Sequence, residues 1–221
     1  GGINIKDSKC AICGQCITHC PTGALTARDD TDLVRRMIAD PDVVTVVQVA
    51  PAVRAAWAEE AGVDREFATP KRMAAALRRL GFDYVFDTDW SADLTIMEEG
   101  SELIERLTHA DEYKWPMFTS CCPGWVRFVK GHWPEYAMQL STAKSPQQMF
   151  GPVVKTYFAE KVGVDPKKIF GMSVMPCVAK KHECALENMT SAGAGQDVDL
   201  SITVREFIRM MRAANIDIKS L

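Results

Sequence analysis

Val43-Val-Thr-Val-Val-Gln-Val-Ala-Pro51 is the stretch whose reading decides the fold. β-Branched residues fill 43–49 almost without a break, and a proline follows. A short run of that kind reads as a strand buried on both faces, the strand of parallel sheets. Working outward, 30–40 places Leu33, Met37 and Ile38 on one face and reads as an amphipathic helix. Beyond the strand, Thr69-Pro70 opens a helix through Met73, Ala76, Leu77 and Leu80, and Gly81 stops it. The pattern then predicts a strand at 84–86, an acid-rich helix at 92–107, a strand at 116–119 and a helix at 124–130. A longer helix at 146–162 and a strand at 169–175 follow. Thr203-Val-Arg-Glu206 is a capping box that opens a last helix to about Ala214. Strands alternating with helices predict an α/β fold around a parallel sheet.

Three of these strands lead into reactive residues. The strand at 43–49 runs into Ala50-Pro51, 116–119 into Ser120-Cys121-Cys122-Pro123, and 169–175 into Pro176-Cys177. Open α/β sheets bind ligands beyond the carboxyl ends of their strands, so these cysteines fall where such a fold puts its site.

Residues 1–27 follow another logic. Cys10, Cys13, Cys16 and Cys20, with Pro21, form C-x2-C-x2-C-x3-C-P. In bacterial two-cluster ferredoxins three thiolates of this run hold one [4Fe–4S] cube, and the fourth usually reaches a second. The chain therefore divides into a small ferredoxin-like [4Fe–4S] module, 1–27, and an α/β domain, 28–221. Disulfides are the alternative reading of eight cysteines, but four thiols within eleven residues at cube spacing favour clusters and a reducing compartment. That places the chain in the cytoplasm ahead of the periplasm. A net charge of −3 with dispersed Lys and Arg argues against a nucleic-acid surface. No run reaches the roughly 18 apolar residues of a membrane span.

The remaining motifs each carry two readings. Cys121 and Cys122 are adjacent, so one can ligate while the other does a second job, or both are small core fillers. Lys180 follows Cys177 by one helical turn and is either a solvated lysine or a charge beside an anionic cofactor. Glu98, Glu99 and Glu102 share a helix face, as a solvated patch or as a carboxylate relay toward a thiol.

Together, Ala50-Pro-Ala-Val-Arg54, Thr119-Ser-Cys-Cys-Pro-Gly-Trp125, Ser141-Thr-Ala-Lys-Ser-Pro-Gln-Gln148 and Met175-Pro-Cys-x-x-Lys-Lys-x-Glu183, after one ferredoxin half-motif, resemble the catalytic subunit of [FeFe]-hydrogenases over nearly the whole chain. The resemblance implies reversible reduction of protons to H2 at an H-cluster, a [4Fe–4S] cube bridged to a di-iron unit bearing CO, cyanide and a dithiolate. It implies that Cys122 and Cys177 ligate the H-cluster cube and that Cys121 is the terminal proton donor. Glu99, Ser141 and Glu102 would continue the relay outward, with Arg106 near the surface. Lys180 would bind a cyanide, and Ala50, Pro51, Pro146, Gln147 and Met175 would line the same pocket. Cys10, Cys13 and Cys16 would hold the accessory cube, with Cys20 reaching toward another. The implied partners are a ferredoxin or other redox carrier, NAD-linked systems included, and further hydrogenase subunits. The family's third signature, which brings two more cysteines, is absent, as is the first ferredoxin half-motif. The expectation is therefore a fragment, or a subunit whose partner supplies the rest. Cys184 has no implied role and reads as a plain thiol. A non-enzymatic iron–sulfur assembly factor of the same superfamily is the alternative. Such proteins tend to lose the proton-delivering cysteine and its acids, all of which are present here.

Overall fold

The computed structural model describes residues 2–221. One short helix, α1 (Gln15–Thr18), sits inside the otherwise irregular cysteine run. α2 (Thr31–Ala39) leads into β1 (Val44–Val49), and α3 (Pro51–Ala61) and α4 (Pro70–Leu80) lead into β2 (Tyr84–Asp87). α5 (Asp89–Thr108), α6 (Pro123–His132) and α7 (Pro146–Val153) follow. α7 runs through a π turn at Val154–Phe158 into α8 (Ala159–Val162), ahead of β3 (Ile169–Met175). α9 (Ala179–Cys184), β4 (Leu200–Thr203) and α10 (Val204–Ala213) complete the α/β domain.

The strands form one parallel sheet in the order β2–β1–β3–β4. Successive β1 side chains face opposite sides, as the two-residue period of a strand requires. Val47 and Val49 join a core with Trp57, Met73, Leu77, Phe207 and Ile208, from α3, α4 and α10. Val46 faces the other way, against Phe150, Val154 and Ile169. Both faces are covered, which is why β1 could be written almost entirely in valine. Each large apolar side chain so buried contributes about 1.5–3 kcal/mol.

Chain direction across the sheet reverses between β1 and β3, the topological switch point where open α/β sheets bind ligands. Val49 lies opposite Val174, and the Ala50 N–H donates to Val174 O at 3.1 Å. Ala50-Pro51 and Pro176-Cys177 therefore leave the sheet side by side.

The helix signals held. Thr69 Oγ1 caps α4 by accepting the Arg72 N–H, and Gly81 ends it at φ 108°. The Thr203–Glu206 capping box opens α10. Two expectations changed. Residues 116–119 are not a strand of the sheet; Phe118 makes one parallel bridge to Leu140. The segment is short, begins with a proline that has no N–H to give, and turns the Phe118 ring toward Trp125 and Tyr136 instead of the core. The helix at 146–162 is interrupted by its π turn, next to Pro152. A proline inside a helix removes a backbone donor, and π turns relieve such breaks. α3, α9 and β4 were not foreseen. Among the described residues no helix is long and apolar enough to cross a membrane.

Candidate functional site

The loops leaving β1 and β3 meet a third loop, 119–123, at the switch point. Cys122 is the N-cap of α6 and its Sγ accepts the Trp125 N–H at 3.5 Å. Cys121 and Cys122 are both exposed, and Cys177 is half-buried. Lys180, on the first turn of α9, ties the 119–123 loop to the segment that follows β3. Its Nζ donates to Cys121 O at 2.8 Å and to Glu183 Oε2 at 2.8 Å. Burial pushes the Cys121 thiol up, the Lys180 charge opposes this, and Glu99 and Cys122 add to the rise. Glu99, Cys121, Cys122 and Lys180 thus share one electrostatic neighbourhood.

The relay residues sit along α5 and the 141–145 loop. Ser141 Oγ donates to Glu102 Oε2 at 2.7 Å, and the Thr142 N–H donates to the same oxygen at 3.0 Å. Arg106 Nε donates to Glu102 Oε1 at 3.1 Å. Burial raises the Glu102 carboxyl, but the bonds from Ser141, Arg106 and Thr142 outweigh it and hold the group below the ordinary carboxylate range. Arg106 is not near the surface as expected. It is 3% exposed and also donates to Leu140 O at 3.0 Å. Its long stem folds inward because Glu102, one turn away, and two backbone carbonyls meet its planar donors. Glu99 Oε1 is buried without a hydrogen-bond partner, so the Glu99–Ser141 link is not closed by a direct bond. Glu98 lies on the exposed side of α5. It lines, with Glu102, Glu105 and Lys144, a surface groove of about 470 Å³.

The expected pocket residues divide into two sets. Pro51 is exposed at the first turn of α3, and Pro146 is half-buried at the first turn of α7. Ala50 and Met175 are buried at the ends of their strand segments. Gln147 turns fully inward. Its Nε2 donates to Glu183 Oε2 at 2.9 Å and its Oε1 accepts from Ser173 Oγ at 2.7 Å. It therefore supports Glu183, which supports Lys180. Sequence reading missed Glu183, although it stood in the quoted motif three residues after Lys180; only its burial, 4% exposed, reveals the job. Cys184 lies beneath this network, buried, with its thiol pushed up to about 12 mainly by burial.

The N-terminal cysteines lie on a loop curled by left-handed residues. Ile12 has φ 55° and Gly14 φ 81°, and the Ile12 N–H donates to Cys10 Sγ at 3.3 Å. A β-branched residue at positive φ is rare and persists only where its surroundings demand it. Thr22 and the backbone N–H groups of Leu25 and Thr22 hold the Cys20 thiol down to about 7.

No three His, Cys, Asp or Glu side chains among the described residues converge on a single-ion position. A cube does not ask them to, since each thiolate meets a different iron of a four-iron body. All eight thiols are free, and N–H donors reach the sulfurs of Cys10 and Cys122. Soft thiolates with N–H donors aimed at sulfur fit iron–sulfur clusters, whose potentials those hydrogen bonds help to set.

Residues 43–221 match the family described as iron only hydrogenase large subunit, C-terminal domain. The chain belongs to that family. Residues 3–26 match the 4Fe-4S binding domain, so the N-terminal cysteines are those of an iron–sulfur module, and the cofactors of this hydrogenase-family chain are [4Fe–4S] clusters and an H-cluster. The NADP-reducing hydrogenase subunit HndD of Solidesulfovibrio fructosivorans is 50% identical over 99% of this chain and 38% of its own length. The cytosolic iron-sulfur assembly component 3 of Bos taurus is 31% identical over 99% of this chain and 48% of its own. A solved apo [FeFe]-hydrogenase HydA1 from Chlamydomonas reinhardtii superposes with a TM-score of 0.81 at 41% identity, covering 88% of this chain and 50% of that one. The chain thus spans half or less of these relatives.

Proposed function

We propose that this hydrogenase-family chain takes part in reversible reduction of protons to H2, with electrons entering through the 10–20 loop. What carries the reading is the hydrogen-bonded run Arg106–Glu102–Ser141, whose Glu102 lines a surface groove, together with Glu99 on the same helix, whose charge acts on the exposed Cys121 thiol. Cys122 and Cys177 would hold the H-cluster cube, and Cys10, Cys13 and Cys16 the accessory cube, with Cys20 free to serve another. The di-iron unit, when bound, supplies the redox chemistry of H2. The chain's own residues handle charge and protons. Lys180, held by Glu183 and the Cys121 carbonyl, offers a charge-assisted donor to an anionic ligand. The Cys121 thiol gives and takes the proton, and the unpaired oxygen of Glu99, whose charge the thiol feels, serves as its acceptor. Ser141 hands protons to Glu102, whose position Arg106 fixes. General acid–base groups of this kind typically contribute 10²–10⁴-fold.

The boundary near residue 27 belongs to this reading, as do a ferredoxin-like or NAD-linked electron partner and a reducing cytoplasm. The test is to load the protein with iron and the di-iron cofactor, then record H2 evolution alongside infrared bands for CO and CN⁻. Bands with H2 support the reading. Iron–sulfur absorption without bands and without H2 would make the chain a cube-only scaffold, as the assembly-factor relatives suggest, and sink it.

A further inference from the structure

α6 does more than present Cys122. Gly124, Arg127 and Gly131 recur at three- and four-residue steps, so they form one stripe of the helix, and that stripe faces the cysteine loop. A side chain at Gly124 would come 3.3 Å from Ala11 O, and one at Gly131 would come 3.5 Å from Lys9 Cβ. The glycines let the loop lie directly on the helix. Arg127 then grips it. Its Nε donates to Cys10 O at 2.9 Å and its Nη2 to Ser8 O at 3.1 Å. Its Nη1 lies 3.4 Å from His182 Nε2, on α9. Burial and the Arg127 charge keep the His182 imidazole below its ordinary value, so at neutral pH it presents a lone pair to the guanidinium. At the far side of the loop, Gly14 touches Val178, the residue after Cys177, with no room for a Cβ.

We propose that Arg127 is a positioning residue for electron transfer, fixing the accessory-cube loop against the two segments that carry Cys122 and Cys177 and tuning that cube's potential. One side chain touches the first ligand's own carbonyl, stands on the helix that Cys122 caps, and reaches the helix that follows Cys177. No bond is made or broken in the step it serves; one electron passes between cubes. Reduction adds one negative charge to the accessory cube, and a permanent cation hydrogen-bonded to the Cys10 carbonyl stabilises that charge. Net charge and hydrogen bonding are the levers by which proteins set cluster potentials. Lysine would not replace it, because a point-charge ammonium cannot fork between two carbonyls.

This rests on the iron–sulfur part of the proposed function and not on H2 chemistry, so its readouts are cluster spectra. The experiment is an EPR-monitored redox titration of the iron-loaded protein, comparing the parent with Arg127→Leu. The expected result is an intact accessory cube that holds its electron about tenfold less tightly, ~59 mV more negative for a one-electron couple. An unchanged midpoint with full iron content overturns the proposal. If the Leu variant fails to load iron, Arg127→Lys decides. It keeps the charge but loses the fork, and weaker magnetic coupling between the two reduced cubes is expected, at a near-parental midpoint. Coupling identical to the parent's overturns the proposal equally. Absence of H2 evolution in the parent would count against the hydrogenase reading alone.

Discussion

The two cysteine regions of this molecule are built in opposite ways. In the 10–20 loop the ligands are neighbours in sequence, and local backbone geometry does the work: a left-handed Ile12, a left-handed Gly14 and an N–H turned onto the Cys10 sulfur. Around the switch point, Cys122 and Cys177 are far apart in sequence: Cys177 follows β3, Cys122 caps α6, and the bond from Lys180 Nζ to Cys121 O ties the two segments. No residue of the loop is fully buried; the strand ends rest on a core with buried ion pairs beneath it. The difference teaches that spacing alone can specify a local ligand set, whereas a sheet-edge set exists only if the whole fold does.

The contrast should break most visibly at Lys181. Its Nζ lies 2.8 Å from both Asp30 Oδ2 and Glu206 Oε1, joining the segment before α2 to α9 and α10. Lys181→Ala leaves the buried Glu206 carboxylate without a cation and Asp30 with only the exposed Arg28, and is expected to cost about 3–5 kcal/mol in urea unfolding. A midpoint equal to the parent's would show that these carboxylates are solvated.

Next comes Glu102. Its folded carboxyl sits below the unfolded value, so its stabilisation is present above the ordinary carboxylate range and is lost as pH falls through the folded value. Glu102→Gln should cost about 1.5–3 kcal/mol at pH 7, the worth of hydrogen bonds to a charged group, and the gap to the parent should narrow in acid. A gap that is constant with pH would contradict the assignment.

Gly14→Ala should act on the seam and spare the sheet. Its left-handed backbone alone makes alanine unfavourable by ~1–2 kcal/mol, and the new methyl meets Val178. Hydrogen exchange should quicken at 8–14 while β1 and β3 stay protected. Uniform loss of protection would mean that the two regions are one cooperative unit.

The mildest probe leaves stability untouched. In iron-free protein, alkylation of Cys20 should rise through pH about 7, while Cys184, pushed up to about 12, stays unreactive wherever the fold survives. Equal labelling would erase the distinction between a prepared sulfur and a buried filler.

Legibility in the sequence followed the same division. The four loop cysteines, the Thr69 and Thr203 caps and the valine strand were readable because each is a local rule about spacing, capping or period. The adjacent thiols and the glutamates of α5 were readable through family resemblance. What escaped was tertiary. β4 has only four residues, too few for a pattern, and α3 hid behind the proline that opens it. Arg106 was misplaced because nothing in a sequence tells a surface arginine from one folded onto its own carboxylate. Glu183 looked like an ordinary helix acid, and Glu206 like a capping-box partner and nothing more. Glu206 accepts from Thr203 with one oxygen and from Lys181 and Asp30 with the other, a double duty that only packing reveals.

The central claim is that the thiol at the switch point moves protons for H2 chemistry. Its most direct test is turnover of Cys121→Ala in protein loaded with iron and the di-iron cofactor, with Cys184→Ala as the buried-thiol control. H2 evolution should fall about 10²–10⁴-fold in Cys121→Ala, with [4Fe–4S] EPR signals unchanged and the control at parental rate. Parental turnover in Cys121→Ala would contradict it.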